Sequence, residues 1–253
     1  MTNELRPKVA FHTLGCKVNQ QDSAVMAALF QDKGYEVVDF SDKADVYVIN
    51  TCTVTHLSDR KSRQMIRRAG AENPDAVIAV CGCYAQVAAD QLQKFPEIDV
   101  ILGTNMRHRV VEAVEDFRET RRKGLYLPTE EETFHYEDLP HERVSGMTRA
   151  YVKIQEGCDQ FCSYCIIPYA RGPLRSRTEE DTIAEIRELV AAGYKEVILT
   201  GIHIGAYGRG KEDKTGNLTH LCRRIIAETD LPRLRLGSVE VTEIDDDMIR
   251  LMH

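Results

Sequence analysis

Cys158, Cys162 and Cys165 stand in a C-x-x-x-C-x-x-C spacing, within the octapeptide C-D-Q-F-C-S-Y-C. Thiolates this close suit a metal cluster. A cubane 4Fe-4S cluster has four irons and is ordinarily held by four thiolates, so a loop offering three leaves one iron open to another ligand. Zinc and disulfides are the competing readings. Structural zinc is closed by four ligands, usually as paired C-x-x-C or C/H knuckles, and no second such knuckle is found in the sequence. The chain opens Met-Thr-Asn-Glu-Leu with no apolar signal segment, so a reducing compartment is expected to keep these thiols free.

A second set is scattered. Cys16, Cys52 and Cys83 each stand at the carboxyl end of a predicted parallel strand: Val9–Gly15, Val46–Thr51 and Val77–Gly82. In open α/β sheets the loops at those ends converge on one crevice, so three such cysteines can form another three-thiolate site without local spacing. Gly15 and Gly82 precede two of them and let the backbone turn tightly beside a bulky group. A single strand-end cysteine reads more simply as a small buried hydrophobe; three at equivalent positions favour ligation. Cys81, inside an apolar run, is expected to be packing, and Cys222, in an amphipathic helix, an ordinary thiol. Eight cysteines thus divide into six ligands and two bystanders.

The elements that must position these residues follow from hydrophobic periodicity. Short apolar runs at Val9–Leu14, Glu36–Phe40, Val46–Asn50, Val77–Val80 and Val100–Leu102 read as strands. Helical periodicity covers Gln20–Lys33, Ser58–Ala71, Ala85–Phe95 and Arg107–Glu119. The pattern is βαβ, with a parallel sheet covered on both faces: an α/β, open doubly wound domain over residues 1–120. Residues 121–148 hold a basic triplet, Pro128, the acidic run Glu130–Glu132 and Pro140, and read as a linker with some hairpin content. From 149 to 253 a strand Tyr151–Gln155 leads into the cysteine loop. Helix Thr178–Ala192, strand Glu196–Thr200, helix Leu218–Thr229 and strand Arg233–Leu236 follow, the start of a (β/α) barrel.

Composition narrows the partners. No apolar run approaches the length of a transmembrane helix, so no membrane role and a cytoplasmic location are expected. The formal charge of −7 excludes a surface that is basic all over, and any nucleic-acid contact must come from a local patch. Such a patch is Arg60, Lys61, Arg63, Arg67 and Arg68 on one predicted helix after Cys52; a solvated helix face is the plainer reading. Arg171, Arg175 and Arg177 lie nearer the cysteine loop and are candidates for a phosphate or carboxylate. The eight histidines show no H-x-x-x-H pair and no clustering with carboxylates, and read as structural. No serine or cysteine hydrolase constellation is found.

The runs T-L-G-C-K-V-N (Thr13–Asn19), I-N-T-C-T-V-T (Ile49–Thr55), C-G-C-Y-A-Q (Cys81–Gln86) and G-C-D-Q-F-C-S-Y-C-I-I-P-Y-A-R-G (Gly157–Gly172) together resemble the methylthiotransferase branch of the radical S-adenosylmethionine (SAM) enzymes. The resemblance extends from Lys8 to His253. It implies two 4Fe-4S clusters: one on Cys158, Cys162 and Cys165 that cleaves SAM, and an auxiliary, sulfur-carrying one on Cys16, Cys52 and Cys83. One SAM would methylate the sulfur and a second would yield the 5′-deoxyadenosyl radical that activates the substrate carbon. Tyr164 would pack by the SAM adenine, Thr200 and Gly201 would meet its amino group, and Ser238 and Glu240 its ribose, although Gly237 replaces the first serine of the family's S-S-I-E stretch.

Gly15-Cys16-Lys17-Val18-Asn19 differs from the G-C-Q-M-N of members acting on isopentenyladenosine and the G-C-P-K-N of those acting on a ribosomal protein. It is similar to the form in enzymes that convert N6-threonylcarbamoyladenosine, 3′ to the tRNA anticodon, into its 2-methylthio derivative. Cys165–Arg177 points the same way. The partners implied are the anticodon region of tRNA, a reductant such as flavodoxin or ferredoxin, and a sulfur donor. Another tRNA adenosine, a ribosomal protein side chain and a non-enzymatic zinc module are the alternatives. The family's barrel has more strands than fit before His253, and its RNA-gripping C-terminal β-domain does not follow. The chain therefore reads as truncated and is expected to be nearly inactive alone.

Overall fold

The computed structural model describes residues 6–138, 148–210 and 216–253. They fall into two compact units. The first comprises residues 6–132 with Ser163–Arg171, and the second comprises Thr133–Asp138, 148–162 and Gly172–His253.

In the first unit, β1 (Lys8–Thr13), β2 (Glu36–Val38), β3 (Val46–Thr51), β4 (Val77–Gly82), β5 (Val100–Leu102) and β6 (Gly124–Tyr126) form one sheet. Its order is β2-β1-β3-β4-β5-β6 and every pairing is parallel. β3 and β4 are buried along their whole length, which is why they read as unbroken apolar runs rather than alternating ones. The helices are α1 (Lys17–Asp32), α2 (His56–Glu72), α3 (Cys83–Val87), α4 (Ala89–Leu92), α5 (Val110–Thr120) and α6 (Ile167–Arg171). Helix α1 buries Val18, Val25, Met26 and Phe30 on one stripe, each worth about 1.5–3 kcal/mol of burial. It stops at Gly34, whose N–H reaches back to Gln31 O. Helix α2 begins at Thr55, whose hydroxyl accepts from the Ser58 amide at 3.2 Å, and buries only the stripe Ser62, Ile66 and Ala69.

Two expectations change here. The helix expected over Ala85–Phe95 is two short ones, broken at Ala88, whose N–H still bonds to Tyr84 O while its own carbonyl accepts from Gln91 and Leu92. Gly124–Tyr126, inside the expected linker, pairs with Val100–Leu102; three residues are too few to show a strand period. The rest of that linker's core, residues 139–147, lies outside the described residues.

In the second unit, β7 (Arg149–Lys153), β10 (Glu196–Thr200) and β11 (Arg233–Leu236) make a parallel sheet in the order β11-β10-β7. β8 (Gln155–Glu156) and β9 (Arg175–Ser176) pair antiparallel, so the strand expected over Tyr151–Gln155 is interrupted at Ile154 and changes partner. Helices α7 (Glu179–Ala191), α8 (Leu218–Glu228) and α9 (Asp246–Met252) complete the unit. Thr178 caps α7 by accepting from the Asp181 amide at 3.1 Å, and three acidic residues occupy its first turn, where the helix dipole favours them. Val152, Ile154, Ile186, Val197, Leu199, Leu221 and Ile225 fill the core. The architecture is α/β, its two larger sheets parallel.

Candidate metal centre and its surroundings

The sheet order reverses between β1 and β3, and the crevice at the carboxyl ends of strands on either side of such a switch point is where open α/β sheets bind ligands. Cys16, Cys52 and Cys83 all lie there. Cys16 follows β1 and opens α1, Cys52 follows β3, and Cys83 follows β4 and opens α3; β1, β3 and β4 are consecutive neighbours. Gly15 (φ +106°) and Gly82 (φ +90°) take the left-handed turns expected of them. A Cβ on Gly15 would stand 2.9 Å from Cys52 Cβ and 3.1 Å from its sulfur, so the backbone before Cys16 lies against the Cys52 side chain. Cys52 and Cys83 are buried and Cys16 is exposed.

A buried polar network fixes the three loops. Asn50 Nδ2 donates to Asn19 O at 2.9 Å and to Ser23 Oγ at 3.0 Å. Asn19 Nδ2 donates to Leu14 O at 2.7 Å and Thr51 O at 3.0 Å. The Thr51 hydroxyl donates to Cys81 O at 2.5 Å and accepts from the Ala85 amide. Each loop carrying a cysteine is thus tied to the next by side chains that leave few buried groups unpaired. Asn19, Asn50 and Thr51 stood in the motifs but had no role assigned; a lone Asn in the apolar run V-Y-V-I-N-T was the signal.

Arg171 is the largest surprise. Expected to meet a phosphate or carboxylate, it is fully buried and turns into this network: Nε donates to Cys83 Sγ at 3.2 Å, Nη1 to Asp22 Oδ2 at 3.0 Å, and Nη2 to Asn19 Oδ1. Arg107 shares the Asp22 carboxylate at 3.1 Å. Burial pushes the Cys83 thiol above its ordinary value, the Arg171 cation acts against that, and the nearby Cys52 and Cys16 reinforce it. Cys81 is packed in the core as expected, its sulfur against Met26 and Ile49 O and burial raising its thiol to about 12. Burial raises Cys222 to about 12 as well.

The cysteine loop is described in two parts. In the second unit Cys158 is half-buried and Cys162 exposed, with the Cys158 amide bonded to Gly172 O at 3.1 Å and Phe161 in the left-handed region at φ 45°, a conformation a bulky side chain adopts only under constraint. Cys165, half-buried, belongs to the first unit, as does Tyr164, which is 90% exposed and so packs on little. At the carboxyl end of the second sheet, Thr200 ends β10, Gly201 follows it, and Ser238 follows β11. Gly237 N donates to Leu199 O there, and Ser238 is exposed. Glu240 is exposed too, its amide donating to Glu243 Oε2 at 3.1 Å.

Three further expectations are corrected. Arg175 is buried against Glu156 (3.8 Å), which also pairs with Lys153 (3.1 Å), and Arg177 pairs with Asp138 (2.9 Å) and Glu185; neither faces a ligand from solvent. Histidines do meet carboxylates across long sequence separations that no spacing rule detects. His203 Nε2 lies 2.5 Å from Glu243 and its Nδ1 3.8 Å from Cys158 Sγ, and His220 lies 2.9 Å from Glu179. On α2, by contrast, Arg60, Lys61, Arg67 and Arg68 are exposed as expected, and Arg60, Arg63, Gln64 and Arg67 line a shallow depression.

The donor chemistry fits iron–sulfur clusters. All eight cysteines are free thiols, six of them in the two expected sets, and a guanidinium buried against Cys83 matches the negative charge a thiolate ligand carries. Among the described residues no three His, Cys, Asp or Glu side chains are closed around a common point.

Residues 8–103 match the family described as "Uncharacterized protein family UPF0004", and residues 152–246 match the Radical SAM superfamily. The chain is 45% identical over 96% of its length to the "Threonylcarbamoyladenosine tRNA methylthiotransferase MtaB" of Bacillus subtilis, covering 54% of that protein. The relative of the same name from Aquifex aeolicus is 40% identical, with 97% of this chain and 59% of that one covered. The "tRNA-2-methylthio-N(6)-dimethylallyladenosine synthase" of B. subtilis is 36% identical, with 97% and 49% covered. The chain thus spans about half the length of the curated relatives it matches. Among solved structures, the radical SAM methyltransferase TsrM from Kitasatospora setae superposes with a TM-score of 0.63 at 16% identity, over 97% of this chain and 57% of that one, a likeness of fold. The chain thus carries a UPF0004 region and a radical SAM region in series, and relatives named as tRNA methylthiotransferases match nearly its whole length.

Proposed function

We propose that the protein of which this chain is part methylthiolates N6-threonylcarbamoyladenosine beside the anticodon of tRNA. One observation carries the reading: three cysteines at the carboxyl ends of three adjacent parallel strands, in a chain that also holds a C-x-x-x-C-x-x-C loop within a radical SAM region. Two cysteine triplets suit a reaction that needs both a radical source and a sulfur carrier. Cys158, Cys162 and Cys165 would hold the SAM-binding cluster, with Tyr164, Thr200, Gly201, Ser238 and Glu240 contacting SAM; Cys16, Cys52 and Cys83 would hold the second cluster. When bound, cluster and SAM supply a carbon radical able to take hydrogen from an unactivated C–H bond. The higher identity to the two threonylcarbamoyladenosine relatives than to the dimethylallyladenosine one supports that substrate. The exposed cations of α2 suit the RNA backbone. A low-potential reductant and a sulfur donor complete the partners. No helix among the described residues is long and apolar enough to cross a membrane. The cytoplasm, where tRNA works, is the proposed location.

The test is anaerobic iron and sulfide quantitation with EPR of the reduced protein, for the parent, Cys16→Ala and Cys158→Ala. Two cluster signals are expected, one lost in each variant. Zinc without sulfide overturns the radical chemistry, and a single signal abolished only by Cys158→Ala overturns the second cluster.

A further inference from the structure

A fully buried arginine whose three nitrogens are all engaged, one of them on a thiol, is a costly thing to build. Removing a charge from water is costly even after relaxation, and only partners of opposite charge and good geometry offset it. Arg171 pairs with Asp22 and shares that carboxylate with Arg107. Both guanidinium groups reach that carboxylate from buried positions, and Arg171 brings its positive charge to the Cys83 sulfur. An anionic ligand at Cys83 is favoured by that charge.

The origin of Arg171 adds to this. It ends α6, six residues after Cys165, and its segment is held in the first unit by the Thr104 hydroxyl donating to Ala170 O at 2.9 Å. The chain that carries the last cysteine of the loop therefore continues directly into the residue that touches a cysteine of the other set.

We propose that Arg171 is a positioning residue for the cluster held by Cys16, Cys52 and Cys83, and that its hydrogen bond to the Cys83 sulfur sets that cluster's reduction potential. The inference rests on the two-cluster reading above. Hydrogen bonds to ligand sulfurs and nearby positive charge favour the more negative, reduced cluster and raise its potential. Losing the donor lowers it.

The experiment uses the full chain with Cys158, Cys162 and Cys165 all changed to Ala, so that only the second cluster can assemble, and follows its EPR signal in a redox titration. Arg171→Met is expected to shift the reduced-to-oxidised ratio at fixed potential about tenfold towards oxidised, equivalent to about 59 mV for one electron. Arg171→Lys keeps charge but loses the fork, and should fall between. Arg107→Lys loosens the same carboxylate without the bond to sulfur, so it is expected to lower thermal stability and leave the midpoint in place. If Arg171→Met loses iron, Arg171→Lys still reads the shift. An unchanged midpoint in Arg171→Lys and Arg171→Met, or an equal shift in Arg107→Lys, overturns the inference while the two-cluster reading stands. Absence of iron and sulfide from the triple-alanine parent overturns both.

Discussion

At the scale of single residues, Gly82 shows how narrowly the second cysteine set is held. It has φ +90° between β4 and Cys83, and a side chain there would run into Asn50 Oδ1 and stand 2.5 Å from Thr51 O. Those are the groups that tie the Cys16 and Cys52 loops together. Gly82→Ala must adopt a conformation that L-residues avoid and displace a filled polar network as well. The expected cost is about 2 kcal/mol or more, read as a lowered midpoint in urea unfolding; an unchanged midpoint would mean that the turn relaxes freely. The tight turn could be expected from a glycine between an apolar run and a cysteine. What could not was the identity of its neighbours, because Asn50 lies 32 positions before Gly82 and Arg171 lies 89 after it. Residue type announces the candidate ligands, whereas the groups packed around them are ordinary Asn, Asp and Arg whose place is set only once the fold brings them together.

At the scale of elements, α2 keeps most of its cations in solvent. It buries Ser62, Ile66 and Ala69 and leaves a face on which Arg60 and Arg67 are exposed, while the chain as a whole carries −7. Of these cations Arg67 also lies 5.4 Å over the Phe95 ring, and the neighbouring Arg63 bonds to Tyr84 OH at 2.8 Å. If the face meets RNA phosphates, Arg60→Gln with Arg67→Gln should weaken binding of an anticodon stem-loop across sequences alike. The slope of log affinity against log salt should flatten by about 0.7 to 0.9 for each phosphate no longer neutralised. A slope that does not change would return α2 to a merely solvated face. This helix was visible in its periodicity, and β10 and β11 were visible to the residue. Among the elements that escaped were β6 with three residues and the pair β8 and β9 with two each, lengths over which neither a period of two nor one of 3.6 can be counted.

At the scale of the whole molecule, the sheet winding was legible because buried parallel strands leave near-continuous apolar runs, but the partition of the chain was not. Ser163–Arg171 packs with the first unit although its sequence runs on from the second; a hydrogen bond such as that from Thr104 to Ala170 has no local signature. The second unit presents a different balance. β11 pairs on one side only among the described residues, with β10, and Val241, Ile244, Ile249 and Met252 are exposed after it. Exposed apolar groups beside an open edge favour association. Opposing this, Arg233 and Arg235 project from the edge itself, only partly neutralised by Glu196 at 3.5 and 3.1 Å, and two such edges brought together would set like charges against each other. The two effects separate by salt, which screens the exposed arginines and leaves the apolar attraction intact. Sedimentation velocity of this chain is therefore expected to show self-association that grows with both concentration and ionic strength. Val241→Ser with Met252→Ser should suppress it, while Arg233→Ser with Arg235→Ser should make it appear already at low salt. A species that stays monomeric under all three conditions would mean that this surface does not self-associate, and one that dissociates as salt rises would mean that charge pairing rather than the apolar residues holds the contact.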